Sequence, residues 1–184
     1  MKKIVLTFGL VSGVVMSAMM VLTLPLHERI DSSTALIIGY TTMVAASLAI
    51  YFGVRRYRDE QPDGTVSFGR AFAVGLLIAC VAGACYTATW EVMYYNFQPD
   101  YMEKYQAREL EHERARGMAP AELERKRAEM AKFAELYRNP TINSAMTFLE
   151  PLPVGLLGAL ISAALLRRRR RDDAGAPELA RTPV

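Results

Sequence analysis

The chain has 184 residues, of which 52% are hydrophobic and 22% charged, with a net charge of +3 and a mean hydropathy of +0.11. Those averages would fit a soluble domain, so the distribution decides the class: charged residues are almost absent from four apolar stretches and crowd the links between them. The stretches and links use nearly the whole chain, so no separate soluble enzyme domain is expected.

The four stretches cover residues 4–26, 34–54, 71–95 and 144–166. Each is close to the ~20 residues that a helix needs to cross ~30 Å of hydrocarbon. An all-α membrane protein with four transmembrane helices is therefore expected over residues 1–170. Lys2 and Lys3 precede the first stretch in the manner of a secretory signal, but the apolar run continues to Leu26 and no A-x-A site closes it. An uncleaved first helix is expected.

Lysines and arginines flanking the spans set the orientation. Lys2 and Lys3 come before the first helix, and the link 27–33 holds Arg29 against Glu28 and Asp31. The next link carries Arg55, Arg56, Arg58 and Arg70, and the fourth helix runs into Arg167, Arg168, Arg169, Arg170 and Arg171. The short basic segments all fall on one side, which predicts a multi-pass protein with both termini cytoplasmic. The five-arginine run could be read as a nucleic-acid patch, but beside a span it serves as a stop-transfer anchor. There it also draws anionic lipid headgroups at ~1 kcal/mol per residue. No nucleic-acid partner is expected. The tail 171–184, with Pro177 and Pro183, reads as disordered.

The link 97–143 balances nine basic against nine acidic residues. Asp100 with Glu103 resembles a capping box, and Gly117 can stop the helix that follows. A second helix starts with Pro120 at its first position and ends before Asn139-Pro140. Its apolar residues Leu123, Met130 and Tyr137, with Phe133 and Ala134, form one narrow stripe. Glu122–Lys126 and Arg125–Glu129 are spaced as i,i+4 pairs. The expectation is an extramembrane helical hairpin, too small to fold alone, leaning on the membrane domain or on a membrane or periplasmic protein partner.

Small residues recur every four positions: Gly9, Gly13 and Ser17; Gly75, Ala79 and Gly83; Gly155, Ala159 and Ala163. Such rows admit close backbone approach in lipid. They fit a homodimer face or packing within one chain, and the second is the simpler. Cys80 and Cys85, five apart and about 140° apart around a helix, are not placed for a local disulfide.

Two carboxylates interrupt the spans, Glu91 and Glu150. Counted from the ends of their stretches, both lie ~9 Å in from the same face. Glu91 shares its helical face with Thr87, Glu150 shares its own with Thr147, and Tyr40 and Thr42 stand at a comparable depth. Intramembrane charge is tolerated where it faces other helices, so a polar layer of Glu91, Glu150, Tyr40, Thr42, Thr87 and Thr147 is expected, with the two carboxylates close together. It would act as a hydrogen-bonded lock or as a proton or cation site; Pro151 and Pro153 beside Glu150 require the helix to start or kink there. His27 and His112 both fall in links, and no metal ligand set, phosphate loop or nucleophile–base pair is present in the sequence, so no catalytic residue, metal or cofactor is expected.

Several segments, 38–43 (Ile-Gly-Tyr-Thr-Thr-Met), 68–72 (Phe-Gly-Arg-Ala-Phe), 88–92 (Ala-Thr-Trp-Glu-Val) and 145–151 (Ala-Met-Thr-Phe-Leu-Glu-Pro), together with the opening Lys-Lys-Ile, resemble a family of four-helix membrane proteins, domain of unknown function 4199. The resemblance covers residues 1 to about 170 and implies a bacterial inner-membrane protein, without transferring an activity, ligand or site. The residues themselves lead to a non-enzymatic protein acting by association with membrane or envelope components, or alternatively to a small transporter or channel subunit using the intramembrane carboxylates.

Overall fold

The computed structural model describes residues 1–24 and 32–167. Arg168, Arg169, Arg170 and Arg171, the tail that follows them and most of the link 27–33 lie outside the described residues. Seven helices follow in order among the described residues: α1 (Lys2–Thr23), α2 (Ser32–Asp59), α3 (Phe68–Asn96), α4 (Tyr101–Ala115), α5 (Pro120–Tyr137), α6 (Pro140–Leu149) and α7 (Leu152–Leu166). Four stretches are long and apolar enough to cross a membrane: Lys2–Thr23, Leu36–Asp59, Phe68–Asn96 and Pro140–Leu166, the last made of α6 and α7 together. Their outward faces carry side chains such as Leu10, Val14, Val44, Leu48 and Leu157, all largely exposed, as a lipid-facing surface requires.

The start of the fourth span differs from the sequence reading, and the break expected beside Pro151 is present. The fourth span starts at Pro140, not at residue 144, because Asn139 caps α6, its side-chain oxygen accepting from the Thr141 amide at 3.0 Å. Pro140 then takes the first helical position. The span is also broken where Pro151 follows Glu150. A proline lacks the amide that would continue the ladder, and its ring crowds the carbonyl four residues back. The α7 ladder restarts with the Gly155 amide on the Pro151 carbonyl at 2.9 Å.

Packing follows the small-residue rows, within the chain. A Cβ placed on Gly9 would lie 2.6 Å from Val81 Cβ, and one on Gly13 the same distance from Cys85 Cβ, so α1 sits backbone-close on α3. On its other side α3 meets α7: a Cβ on Gly75 would lie 2.9 Å from Ala159 Cβ, and one on Gly155 2.8 Å from Ala79 Cβ. Ser12 ties α1 to α2 by donating to the Ala46 carbonyl at 3.0 Å. Cys80 and Cys85 are both free thiols.

One apolar cluster contains Val5, Val54, Val66, Ala71 and Leu166. It gathers the start of α1, the end of α2, the start of α3 and the end of α7, and with them Lys2, Lys3, Arg55, Arg56, Arg58, Arg70 and Arg167. The core changes along the long axis from this aliphatic cluster to Met16 and Met43 with Ala46 and Ala82, and finally to Leu24, Trp90 and Tyr94.

The helices α4 and α5 lie at the aromatic end. Gly117 ends α4 with φ of 86°, allowing the Met118 amide to reach back to the Glu113 carbonyl at 3.1 Å. Asp100 occupies the N-cap position but makes no capping bond; its carboxylate pairs with Lys104 at 3.1 Å. Lys126 turns away from its expected helical neighbour Glu122 and bridges to α4, at 2.9 Å from Glu109 and 2.6 Å from Glu113. Two carboxylates on the facing helix offer a cation more than one solvated neighbour on its own. Gln106 adds a second tie, donating to the Met130 carbonyl at 2.7 Å.

Candidate binding cavity

Where the core turns aromatic, the helices part around a cavity of about 430 Å³. Large side chains keep them apart: Met16, Met19 and Met20 from α1, Met43 from α2, and Tyr86 and Trp90 from α3. On α3 these two belong to a row, Tyr86, Trp90 and Tyr94, at successive intervals of four, hence on one face. From α6 and the break after it come Thr147 and Glu150, and Tyr137 enters from the end of α5. The rim towards α4 is made by Tyr101, Tyr105, Arg108 and His112.

The aromatic side chains brace each other. Trp90 meets Tyr101 edge-on with ring centres 5.0 Å apart, and Tyr94 meets Tyr137 edge-on at 5.6 Å, the geometry that aligns ring edges with ring faces. Burial pushes the Tyr101 hydroxyl up to about 12 and raises that of Tyr137 as well. These rings therefore present neutral hydroxyls at physiological pH.

A buried polar chain forms one wall. Trp90 Nε1 donates to Asn143 Oδ1 at 3.0 Å, Thr147 Oγ1 donates to the same oxygen at 3.3 Å, and Tyr137 and Thr147 hydroxyls are 3.4 Å apart. Asn143 is fully buried, and its Nδ2 has no partner among the described residues.

The six polar-layer candidates divide. Tyr40, Thr42, Thr147 and Glu150 all line the cavity, although the Thr42 hydroxyl is spent on the Ile38 carbonyl at 2.8 Å. Glu91 and Thr87 do not line it. The Glu91 carboxylate accepts from Ser144 Oγ at 2.8 Å, and the buried Thr87 Oγ1 has no hydrogen-bond partner among the described residues. The expected pairing of Glu91 with Glu150 is not made, for two geometric reasons. Glu91 lies ~8 Å from the Asn96 end of α3, whereas Glu150 lies ~15 Å along the fourth span from Pro140, at 1.5 Å per residue. Each finds a partner at its own depth: Ser144 for Glu91, and for Glu150 the Tyr86 hydroxyl, which donates to Oε2 at 3.3 Å. Around α3, moreover, Glu91 is about 140° from Tyr86.

That hydrogen bond is long for a hydroxyl–carboxylate contact. Among the described residues, Tyr86 is the only hydrogen-bond partner of Glu150, and no cation lies within ion-pair distance of it. No group of three or more His, Cys, Asp or Glu side chains converges among the described residues. Towards the arginine end a second space of about 20 Å³ is bounded by Ser12, Ala79, Gly83 and Gly155 among others.

A model of the family described as Protein of unknown function (DUF4199) matches residues 7–168. The chain belongs to that family. No curated protein and no solved structure matches it. In this DUF4199 chain the matched region runs from α1 to just beyond α7 and includes every residue lining the cavity. Four of those residues belong to the polar layer expected from the sequence, and Trp90 and Tyr101 were expected as interfacial aromatics beside it; Tyr86, and Asn143 behind the wall, were not among the candidates. Two spacings carry that information: Tyr86, Trp90 and Tyr94, and Asn143, Thr147 and Glu150, each a row on one helical face.

Proposed function

We propose that this is a non-enzymatic, multi-pass protein of the bacterial inner membrane, with both termini cytoplasmic, that holds a small amphiphilic molecule in the cavity beneath α4 and α5. The observation that carries the proposal is the cavity itself. Its volume is within the ~300–1,000 Å³ of small-molecule sites, and its apolar wall carries a few convergent polar groups, as such sites do. The orientation rests on the basic residues gathered at the opposite end. It places α4 and α5 on the periplasmic side.

Two further features bear on the mode of action. A conduit needs a continuous path, and close glycine–alanine packing fills the arginine-side half; this favours a binding protein over a channel. The exposed Phe133 and Leu136 on α5 favour a second reading, association of α4 and α5 with another membrane or envelope protein.

The binding reading is tested by purifying the full chain in mild detergent and identifying co-purified small molecules by mass spectrometry. Gly39 lines the cavity and has open space where a Cβ would go, so Gly39→Phe is chosen to add bulk at the lining. An amphiphile enriched on the wild type and lost from Gly39→Phe is expected; identical profiles would overturn the reading. Reporter fusions at residues 60, 120 and 175 test the orientation, and a cytoplasmic signal at 120 would reverse it.

A further inference from the structure

Resting on that binding reading, we infer that the cavity selects a monovalent organic cation with an apolar body, its charge held between the Glu150 carboxylate and the faces of Tyr86 and Trp90. Three observations converge. First, Glu150 is a carboxyl group ~15 Å along an apolar span with one long hydrogen bond and no cationic partner within ion-pair distance among the described residues. A carboxylate in that position is costly unless a counter-charge joins it. Second, aromatic rings surround the same space: Tyr40, Tyr86, Trp90, Tyr101, Tyr105 and Tyr137. Ring faces attract cations through their quadrupole, tryptophan most strongly, and the attraction grows where water is excluded. Third, methionines share the lining, Met16, Met19, Met20 and Met43, a flexible and polarisable surface suited to an apolar group of variable shape.

A strongly hydrated inorganic ion would find too few oxygen donors, and no convergent ligand group exists among the described residues. A substituted ammonium is weakly hydrated and needs only one counter-charge and ring faces. Arg108 and His112 are the cationic or titratable groups facing the cavity from α4. They stand at its rim, whereas Glu150 lies within the span, so they favour entry of an anion no further than the mouth. Lys126 on α5 is engaged by Glu109 and Glu113.

Trp90 is the single tryptophan of the chain and lines the cavity, so its fluorescence reports occupancy directly. The full-length protein in lipid nanodiscs is titrated with benzyltrimethylammonium, with its neutral isostere neopentylbenzene, and with the anion benzylsulfonate. Saturable quenching by the cation is expected, at least tenfold tighter than for either other probe. Glu150→Gln is expected to weaken the cation at least tenfold and leave the neutral probe unchanged. Glu91→Gln, outside the cavity, is expected to leave all three unchanged, and the melting temperature of each variant verifies folding. Equal binding of cation and neutral probe, preferential binding of the anion, or cation binding indifferent to Glu150→Gln would overturn the cation assignment. In those cases loss of quenching in Gly39→Phe would still uphold the cavity as a binding site. Quenching that persists in Gly39→Phe, or no saturable quenching by any probe, would overturn both.

Discussion

At the arginine-rich end, the helices touch through glycine and alanine, and the gaps are filled by Val5, Ile50, Val54, Val74 and Ile78. At the α4–α5 end, the same helices are held apart by methionine, tyrosine and tryptophan, and between them lies about 430 Å³ of open space. Both ends are built mostly from apolar residues, so hydrophobicity does not distinguish them. Side-chain size at the facing positions does. In lipid, association depends on close packing and hydrogen bonds because the hydrophobic drive between helices is absent. The packed half therefore supplies much of the cohesion, and the wide half is free to carry a site.

The comparison breaks most readily at Gly75. Its hydrogens face Ala159, where even a methyl group would come within 2.9 Å of a neighbouring Cβ. Gly75→Val is expected to destabilise by about 3 kcal/mol, the upper end for an overpacked core. Met20→Phe, a gain in bulk on the cavity wall, is expected to cost less than ~1 kcal/mol because the added atoms enter open space. Thermal unfolding of both variants in one detergent compares them. Equal losses would mean that the two halves do not differ in packing.

A smaller effect is expected where the cavity wall is itself ordered. Asn143 Oδ1 accepts from both Trp90 and Thr147. Asn143→Leu keeps the number and branching of the side-chain heavy atoms but strands both donors in a buried site, at a cost of ~1–3 kcal/mol. Trp90 emission should shift as its indole loses a fixed partner. An unaltered emission spectrum and melting curve would mean that this wall contributes no order to the cavity.

Much of this architecture was legible in the sequence for physical reasons. Twenty-residue apolar runs have few alternatives, Gly117 and Pro120 punctuate α4 and α5, and Pro151 interrupts the fourth span as its missing amide requires. The small-residue rows likewise announced close contacts, which the structure places within the chain at Gly9, Gly13, Gly75 and Gly155. The cavity was less legible. A carboxylate in an apolar stretch draws attention to itself, but the face of α3 that matters is set by Tyr86 and Trp90, about 100° or more away from Glu91. Depth failed for a related reason: the cap at Asn139 adds a turn of helix before residue 144, lowering Glu150 relative to Glu91. Lys126 was misassigned because the favourable pairs within one helix are visible in a sequence and those between helices are not.

The smallest effect belongs to Lys126 and concerns α4 and α5 alone. Its ammonium rests on Glu109 and Glu113, which holds the Glu113 carboxyl below its ordinary 4.5 and the Lys126 ammonium above its ordinary 10.5. A carboxylate with a depressed folded value contributes stability that is complete above its unfolded value and is lost as pH falls through the folded one. An ammonium with a raised value contributes below its unfolded value and loses that contribution as pH rises through the folded one. The contact between α4 and α5 is therefore at full strength between about pH 4.5 and 10.5 and loosens on either side. The alkaline side is shared with Tyr101, pushed up to about 12 by burial, so the acid side is the discriminating one. Exposure and salt screen such pairs, which keeps the change out of global unfolding and confines it to α4 and α5. Amide hydrogen exchange over residues 101–137 is expected to accelerate as pH falls below 4.5, after correction for intrinsic rates. Lys126→Met should accelerate it already at pH 7 and flatten the acid response. An acid response as steep in Lys126→Met as in the wild type would mean that the bridge does not hold these two helices together.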